Sequence, residues 1–93
     1  QLTGGKRVLS RTVGGAVAEG HVAAALGALQ AEFPDVKMGS YPYFTRIEPG
    51  SGLPSTYGVN FVLRSTDAQR LSLAHEAVRA MIRAQGAEPH DRG

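Results

Sequence analysis

The chain contains no cysteine. A disulfide framework, a thiolate metal site and a cysteine nucleophile are therefore excluded, and the absence fits a cytoplasmic protein. No apolar run approaches the ~20 residues that a membrane-spanning helix needs. The opening, QLTGGKR, has no initiating Met and no basic-then-apolar signal pattern. A chain that starts at Gln1 reads as a piece of something longer. Charge of one sign is also scarce: ten Lys and Arg against eight Asp and Glu leave a formal +2, and the basic residues are scattered from Lys6 to Arg92. That scatter does not favour nucleic acid as a partner. There is no internal repeat and no low-complexity tract.

Phosphate-binding loops are missing as well. GGAVAEG, Gly14 to Gly20, follows a strand and precedes a helix, but has neither the G-x-G-x-x-G pattern nor a Walker lysine. Glu19 in the first turn of that helix would repel an anion. No two glycines stand three residues apart, so the G-x-x-G clamp of a K-homology domain is absent. His21, His75 and His90 lack the i, i+4 spacing that puts two metal ligands on one helix face. The carboxylates are dispersed, with no acid–base couple and no metal spacing. The reading is therefore no catalytic residue and no metal site.

What is present suits one small domain. The 93 residues are 42% apolar and 19% charged, ordinary for a globular chain. Gln1 to Gly5 (1–5) reads as a flexible leader or linker end, 6–86 as a single α+β domain and 87–93 as a frayed tail. Arg7 to Val13 alternates imperfectly and predicts a first strand. From Glu19 to Phe33, Val22, Leu26, Leu29 and Phe33 recur at spacings of four, three and four, the stripe of a helix that Pro34 stops. Val36 to Phe44 predicts a second strand, with Pro42 demanding an edge, a bulge or an end. Arg46 to Thr56, rich in Pro and Gly, is a loop. Tyr57 to Arg64 is the clearest strand, with Tyr57, Val59, Phe61 and Leu63 set toward the helices. Asp67 is a good N-cap for a helix from Ala68 to Gln85, with Leu71, Ala74, Val78 and Met81 as its stripe and Gly86 beyond its end.

The order β-α-β-β-α predicts an α+β two-layer sandwich. Strand 3 lies between strands 1 and 2 in a small, mostly antiparallel sheet, with two helices on one face. His75 borders the apolar stripe with its polar edge in water, and Glu76 is placed to pair with Arg79. MGSYPYF, Met38 to Phe44, concentrates aromatic residues. With helices on the opposite face, Tyr41, Pro42, Tyr43 and Phe44 are strand architecture, a domain or subunit interface, or a ligand platform.

LSRTV (9–13), EFPDVKMGSYPYF (32–44) and NFVLRSTDAQRL (60–71) together resemble the C-terminal part of the competence/damage-inducible protein A (CinA)-like proteins of bacteria. There a Mog/MoaB-like molybdopterin-binding domain precedes a small domain with an FP-x-V-x-x-GSYP stretch and a V-L-R-x-x-D strand. The likeness spans about Lys6 to Gly86, and Gly39 to Pro42 reproduces GSYP. It implies a non-catalytic accessory domain that packs on the missing N-terminal domain or helps it dimerise, with Tyr41, Pro42, Tyr43 and Phe44 as the interface and no cofactor in this fragment. Molybdopterin or nucleotide binding, and the ADP-ribose or FAD pyrophosphatase activity of some members, belong to that missing domain. An alternative has the 46–56 loop close over a pyrophosphate held by Arg46 and Arg64. A third, weak KH-like RNA binding, lacks its G-x-x-G.

Overall fold

The computed structural model describes residues 7–45 and 56–92. Its elements are β1 (Leu9–Gly15), α1 (Glu19–Glu32), β2 (Lys37–Thr45), β3 (Thr56–Ser65), α2 (Ala68–Ala84) and β4 (His90–Asp91). The sheet order is β2-β3-β1-β4 and every pairing is antiparallel. This is the expected two-layer sandwich, with strand 3 between strands 1 and 2.

One difference is the tail expected to fray. Gly86 has φ +81, the left-handed geometry that glycine adopts cheaply, and it turns the chain back from α2. His90 then pairs with Gly14 and Asp91 with Val13. The Arg92 amide donates to the Thr12 carbonyl at 2.8 Å. Two side chains on α2 anchor the strand. His75 Nε2 and Arg79 Nη1 each lie 2.9 Å from Asp91 Oδ1. So His75 is not a water-facing border residue: it is 4% exposed. Arg79 pairs with Asp91 rather than with the expected Glu76.

Val13, Val59, Phe61 and Leu63 of the sheet pack against Val22 of α1 and Leu71, Ala74, Val78, Met81 and Ile82 of α2. Burying each large side chain stabilises by roughly 1.5–3 kcal/mol. Tyr57 follows the parity of Val59 and Phe61 but is 55% exposed. The reason lies in the ladder: β1 ends with Gly15 opposite Val59, so the β2–β3 hairpin runs on past its neighbour.

The α2 N-terminus is capped as predicted, Asp67 Oδ1 accepting from the amides of Gln69 and Arg70. Arg70 also reaches the turn after α1, gripping Asp35 through two contacts of 3.0 and 3.2 Å and lying 4.7 Å over the Phe33 ring. Its hydrogen bond holds the Asp35 carboxyl below its usual range.

Gln30 is the unexpected brace. Its amide donates to the carbonyls of Phe33 and Val36, and its Oε1 accepts from the Met38 amide at 3.0 Å. Because the Met38 amide points away from β3, the alternation of an antiparallel ladder directs the backbone groups of Ser40 and Pro42 outward too. Pro42 thus sits where a missing N–H removes no ladder bond, and β2 is the sheet edge that the proline demanded.

Candidate functional site

Both helices pack on one face of the sheet, and among the described residues no element covers the other, called here the open face. Register defines what it presents, since residues opposed in an antiparallel pair share a face. Lys37, Arg64 and Ser10 form one row across β2, β3 and β1. Gly39, Val62 and Thr12 form the next, with the Arg92 amide on the Thr12 carbonyl. Tyr41, Asn60, Gly14 and His90 then run across all four strands. Tyr43 faces Gly58 at the end where β1 has stopped. Among the described residues these rows hold three cations, a histidine and two tyrosines, and no carboxylate.

The glycines form the floor of this face. A Cβ on Gly58 would collide with the Gly15 carbonyl and with the ring and hydroxyl of Tyr43, so the Tyr43 ring lies directly against Gly58. A Cβ on Gly39 would stand 3.1 Å from Tyr41 Cε2, so Tyr41 leans back along its own strand. Tyr41 is 53% exposed. A Cβ on Gly14 would strike Asn60 Oδ1 and come within 2.9 Å of Arg92 Nε. The Arg92 guanidinium is 5.7 Å from the centroid of Tyr43. Asn60 Oδ1 is buried without a hydrogen-bond partner among the described residues, a state that ordinarily costs about 1–3 kcal/mol until a donor arrives.

A groove of about 700 Å³ opens at this end. Tyr43, Tyr57, Asn60, His90 and Arg92 line it, together with Ala16 and the turn Gly86 to Glu88. A second, more apolar hollow of about 420 Å³ lies between α1 and β2, lined by Val22, Ala23, Leu26 and Met38 among others. Among the described residues no group of three or more His, Asp or Glu is placed to hold a metal ion, and no helix is long and apolar enough to cross a membrane.

Tyr41 and Tyr43 of the expected interface share the open face. Pro42 takes the other parity of the same strand, and Phe44 is the ladder partner of Tyr57. Arg46 lies outside the described residues, as does the rest of 46–55. Arg64 stands at the far end of β3 from that loop, roughly 26 Å from Thr56 at ~3.3 Å per residue. The sequence reading does not single out Asn60 or Arg92, and it weighs His90 only as a metal ligand. Asn60 is a polar residue that alternates with the core-facing set of β3. The place of His90 and Arg92 on this face depends on β4, which no local pattern announces.

Two solved structures share this architecture. The periplasmic divalent cation tolerance protein CutA from Archaeoglobus fulgidus superposes with a TM-score of 0.55 at 7% identity, over 91% of this chain and 83% of that one. The de novo designed protein Foldit4 does so with a TM-score of 0.56 at 15% identity, over 91% of this chain and 92% of the design. At such identities the likeness is one of fold alone. No curated protein is similar enough in sequence to match. The family match is to the middle domain of FAD synthase rather than to a CinA-specific family, and it spans residues 7–91. With nearly every described residue inside that match, the chain is a small accessory α+β domain and belongs to the FAD synthase middle-domain family.

Proposed function

We propose that this chain is a non-catalytic accessory domain that seats its open sheet face against a neighbouring domain of a larger cytoplasmic protein. The neighbour is of the molybdopterin-binding type found in CinA-like proteins. Any pterin or nucleotide chemistry then belongs to that neighbour, and the family name suggests a parent that handles flavin nucleotides. The observation that carries the reading is the contrast between the two sheet faces. One is sealed by α1 and α2. The other offers Tyr41, half exposed, on a floor of glycines. Large aromatic side chains held out on a rigid strand are what an interface uses. His75 and Asp91, the nearest thing to an acid–base pair, fasten β4 to α2 instead.

The test is thermal unfolding of the longer protein that contains this domain. With the native face the two domains should melt in one coupled transition. The double variant Tyr41→Ala, Tyr43→Ala should separate them into two. A single unaltered transition in the variant sinks the docking reading.

A second reading has the domain contribute a wall to a nucleotide site shared with its neighbour. It is favoured by the groove beside Tyr43, lined in part by Asn60, whose buried carbonyl oxygen has no donor among the described residues.

A further inference from the structure

We infer that the partner seated on the open face is an acidic protein surface, and that its carboxylates meet the row formed by Lys37, Arg64 and Ser10. The inference rests on reading that face as a docking surface, and it adds the chemistry and the register of what docks.

The first observation is a cross-strand pair of like charge. Lys37 and Arg64 are directly opposed in the β2–β3 ladder, and both are exposed. Opposed residues that exchange backbone hydrogen bonds stand about 5.5 Å apart at Cα, and like charges in such a position repel. This is such a pair, because the Met38 amide turns outward to Gln30 and the alternation then turns the backbone groups of Lys37 toward β3. A carboxylate brought in by a partner would relieve the repulsion.

The second is that these two charges are uncommitted. Arg70 grips Asp35, Arg79 grips Asp91, and Arg92 lies over the Tyr43 ring. No ion pair among the described residues involves Lys37 or Arg64. Nearby carboxylates are engaged elsewhere. Asp35, Asp67 and Asp91 are held by groups of α2, and Glu19 accepts from Ser40 Oγ.

The third is the last member of the row. Ser10 opposes Arg64 from β1 and is exposed. The Thr12 carbonyl accepts from the Arg92 amide, so Thr12 directs its backbone groups to the outer edge of β1, and the two-residue period directs those of Ser10 there too. The β4 ladder covers only Val13 and Gly14, so among the described residues the Ser10 amide meets no partner strand. An ammonium, a guanidinium, a hydroxyl and an N–H therefore share one row, and all can donate to carboxylates.

The arrangement along the face selects the occupant. Lys37 and Tyr43 lie roughly 20 Å apart along β2 at ~3.3 Å per residue, with half-exposed Tyr41 between them. Aromatic contacts in the middle and charges toward the rim are the anatomy of a protein–protein interface, and such charges fix its register. A second copy laid face to face would offer its own rows, which hold no carboxylate to answer Lys37 and Arg64. Nucleic acid is disfavoured as well, since two uncommitted cations fall short of the roughly 6–10 phosphate contacts of a backbone-binding protein.

The test is hydroxyl-radical footprinting of Tyr41 in the longer protein, native and Lys37→Glu. Salt is raised from about 0.01 M to about 1 M, across which the screening length falls from ~30 Å to ~3 Å. Expected is protection of Tyr41 in the native protein at low salt, several-fold weaker at high salt, and several-fold weaker in Lys37→Glu at low salt. In the 93-residue chain alone the same substitution turns repulsion by Arg64 into attraction, so the melting temperature should rise. The variant then folds better and docks worse, two signs that damage to the domain would not combine. Protection that ignores both salt and Lys37→Glu overturns the inference and leaves docking through the tyrosines standing. A lower melting temperature in the chain variant overturns it too, because Lys37 and Arg64 would then not repel. Equal oxidation of native Tyr41 in the chain alone and in the longer protein defeats the docking reading itself, and the inference with it. Polyadenylate added to the 93-residue chain separates the other polyanion. Saturable amide shifts at Lys37 and Arg64 would assign nucleic acid to the row and overturn the acidic surface, and their absence upholds it.

Discussion

His75 Nε2 stands 2.9 Å from Asp91 Oδ1, and this contact fastens the two-residue strand β4 to the second helix. It holds β4 jointly with the ladder to β1 and the Arg92–Thr12 hydrogen bond. His75 is buried, Arg79 shares the same carboxylate oxygen, and Glu76 lies 3.9 Å from the other ring nitrogen. Replacing Asp91 with Asn removes the charge that both α2 partners use. We expect Asp91→Asn to raise hydrogen exchange of the Arg92 amide several-fold while leaving the Phe61 amide unchanged. Equal exchange at Arg92 in both proteins would show that β4 holds without the clasp.

The same pair sets the acid response. The His75 hydrogen bond, helped by the charges of His75 and Arg79 and opposed by desolvation, holds the Asp91 carboxyl below its usual range. A carboxylate whose folded pKa is depressed stabilises the fold fully above its unfolded value of about 3.9. That contribution is lost as pH falls through the lower folded value. Asp35, lowered by Arg70, acts with the same sign. The melting temperature should therefore drop as pH falls below that unfolded value, with a smaller acid-side drop in Asp91→Asn. An identical profile in the variant would remove Asp91 from the account.

Glycine positions give a paired prediction. A Cβ at Gly58 meets the Gly15 carbonyl and Tyr43, whereas a Cβ at Gly27, in the middle of α1, meets nothing within 4 Å. Gly58→Ala should destabilise by about 1–3 kcal/mol through overpacking. Gly27→Ala should stabilise by about 0.5–1 kcal/mol through helix propensity. Denaturant unfolding of both variants measures the two signs, and a neutral Gly58→Ala would mean that Tyr43 does not lie on that floor.

Gln30 guards the edge of β2. Its amide satisfies the Val36 carbonyl and the Met38 amide, which otherwise face solvent at an unpaired sheet edge. Gln30→Ala should cost about 1 kcal/mol and increase self-association at high concentration, measurable by sedimentation. A variant that self-associates no more than the native chain assigns the guarding of this edge to Pro42 alone.

The sequence made much of this fold legible because period and chemistry agreed along it. Val59, Phe61 and Leu63 alternate in β3, the Leu71–Ala74–Val78 stripe repeats at helical spacing, Asp67 caps, and Pro34 stops α1. These are local signals, and the structure follows them to within a residue or two. β4 was not legible. Two residues carry no period, and its support comes from a histidine sixteen residues away that no local pattern links to Asp91. The partner of Arg79 was misread for the same reason, since helical spacing offered Glu76 and only the tertiary fold brings Asp91. Tyr57 obeyed its alternation, but exposure depends on where β1 ends. The open face is the clearest case. Tyr41 and Tyr43 were visible as candidates, yet the row Tyr41, Asn60, Gly14 and His90 exists only through register, and a shift of one residue would send each strand's set to the other face.

The central claim is that the open sheet face is the working surface of this domain. Hydroxyl-radical footprinting of tyrosine side chains, in this chain alone and in the longer protein that contains it, tests it most directly. The account predicts that Tyr41 and Tyr43 oxidise several-fold more slowly in the longer protein, with exposed Leu73 on α2 reacting equally in both. Equal oxidation of Tyr41 and Tyr43 in the two forms would contradict it.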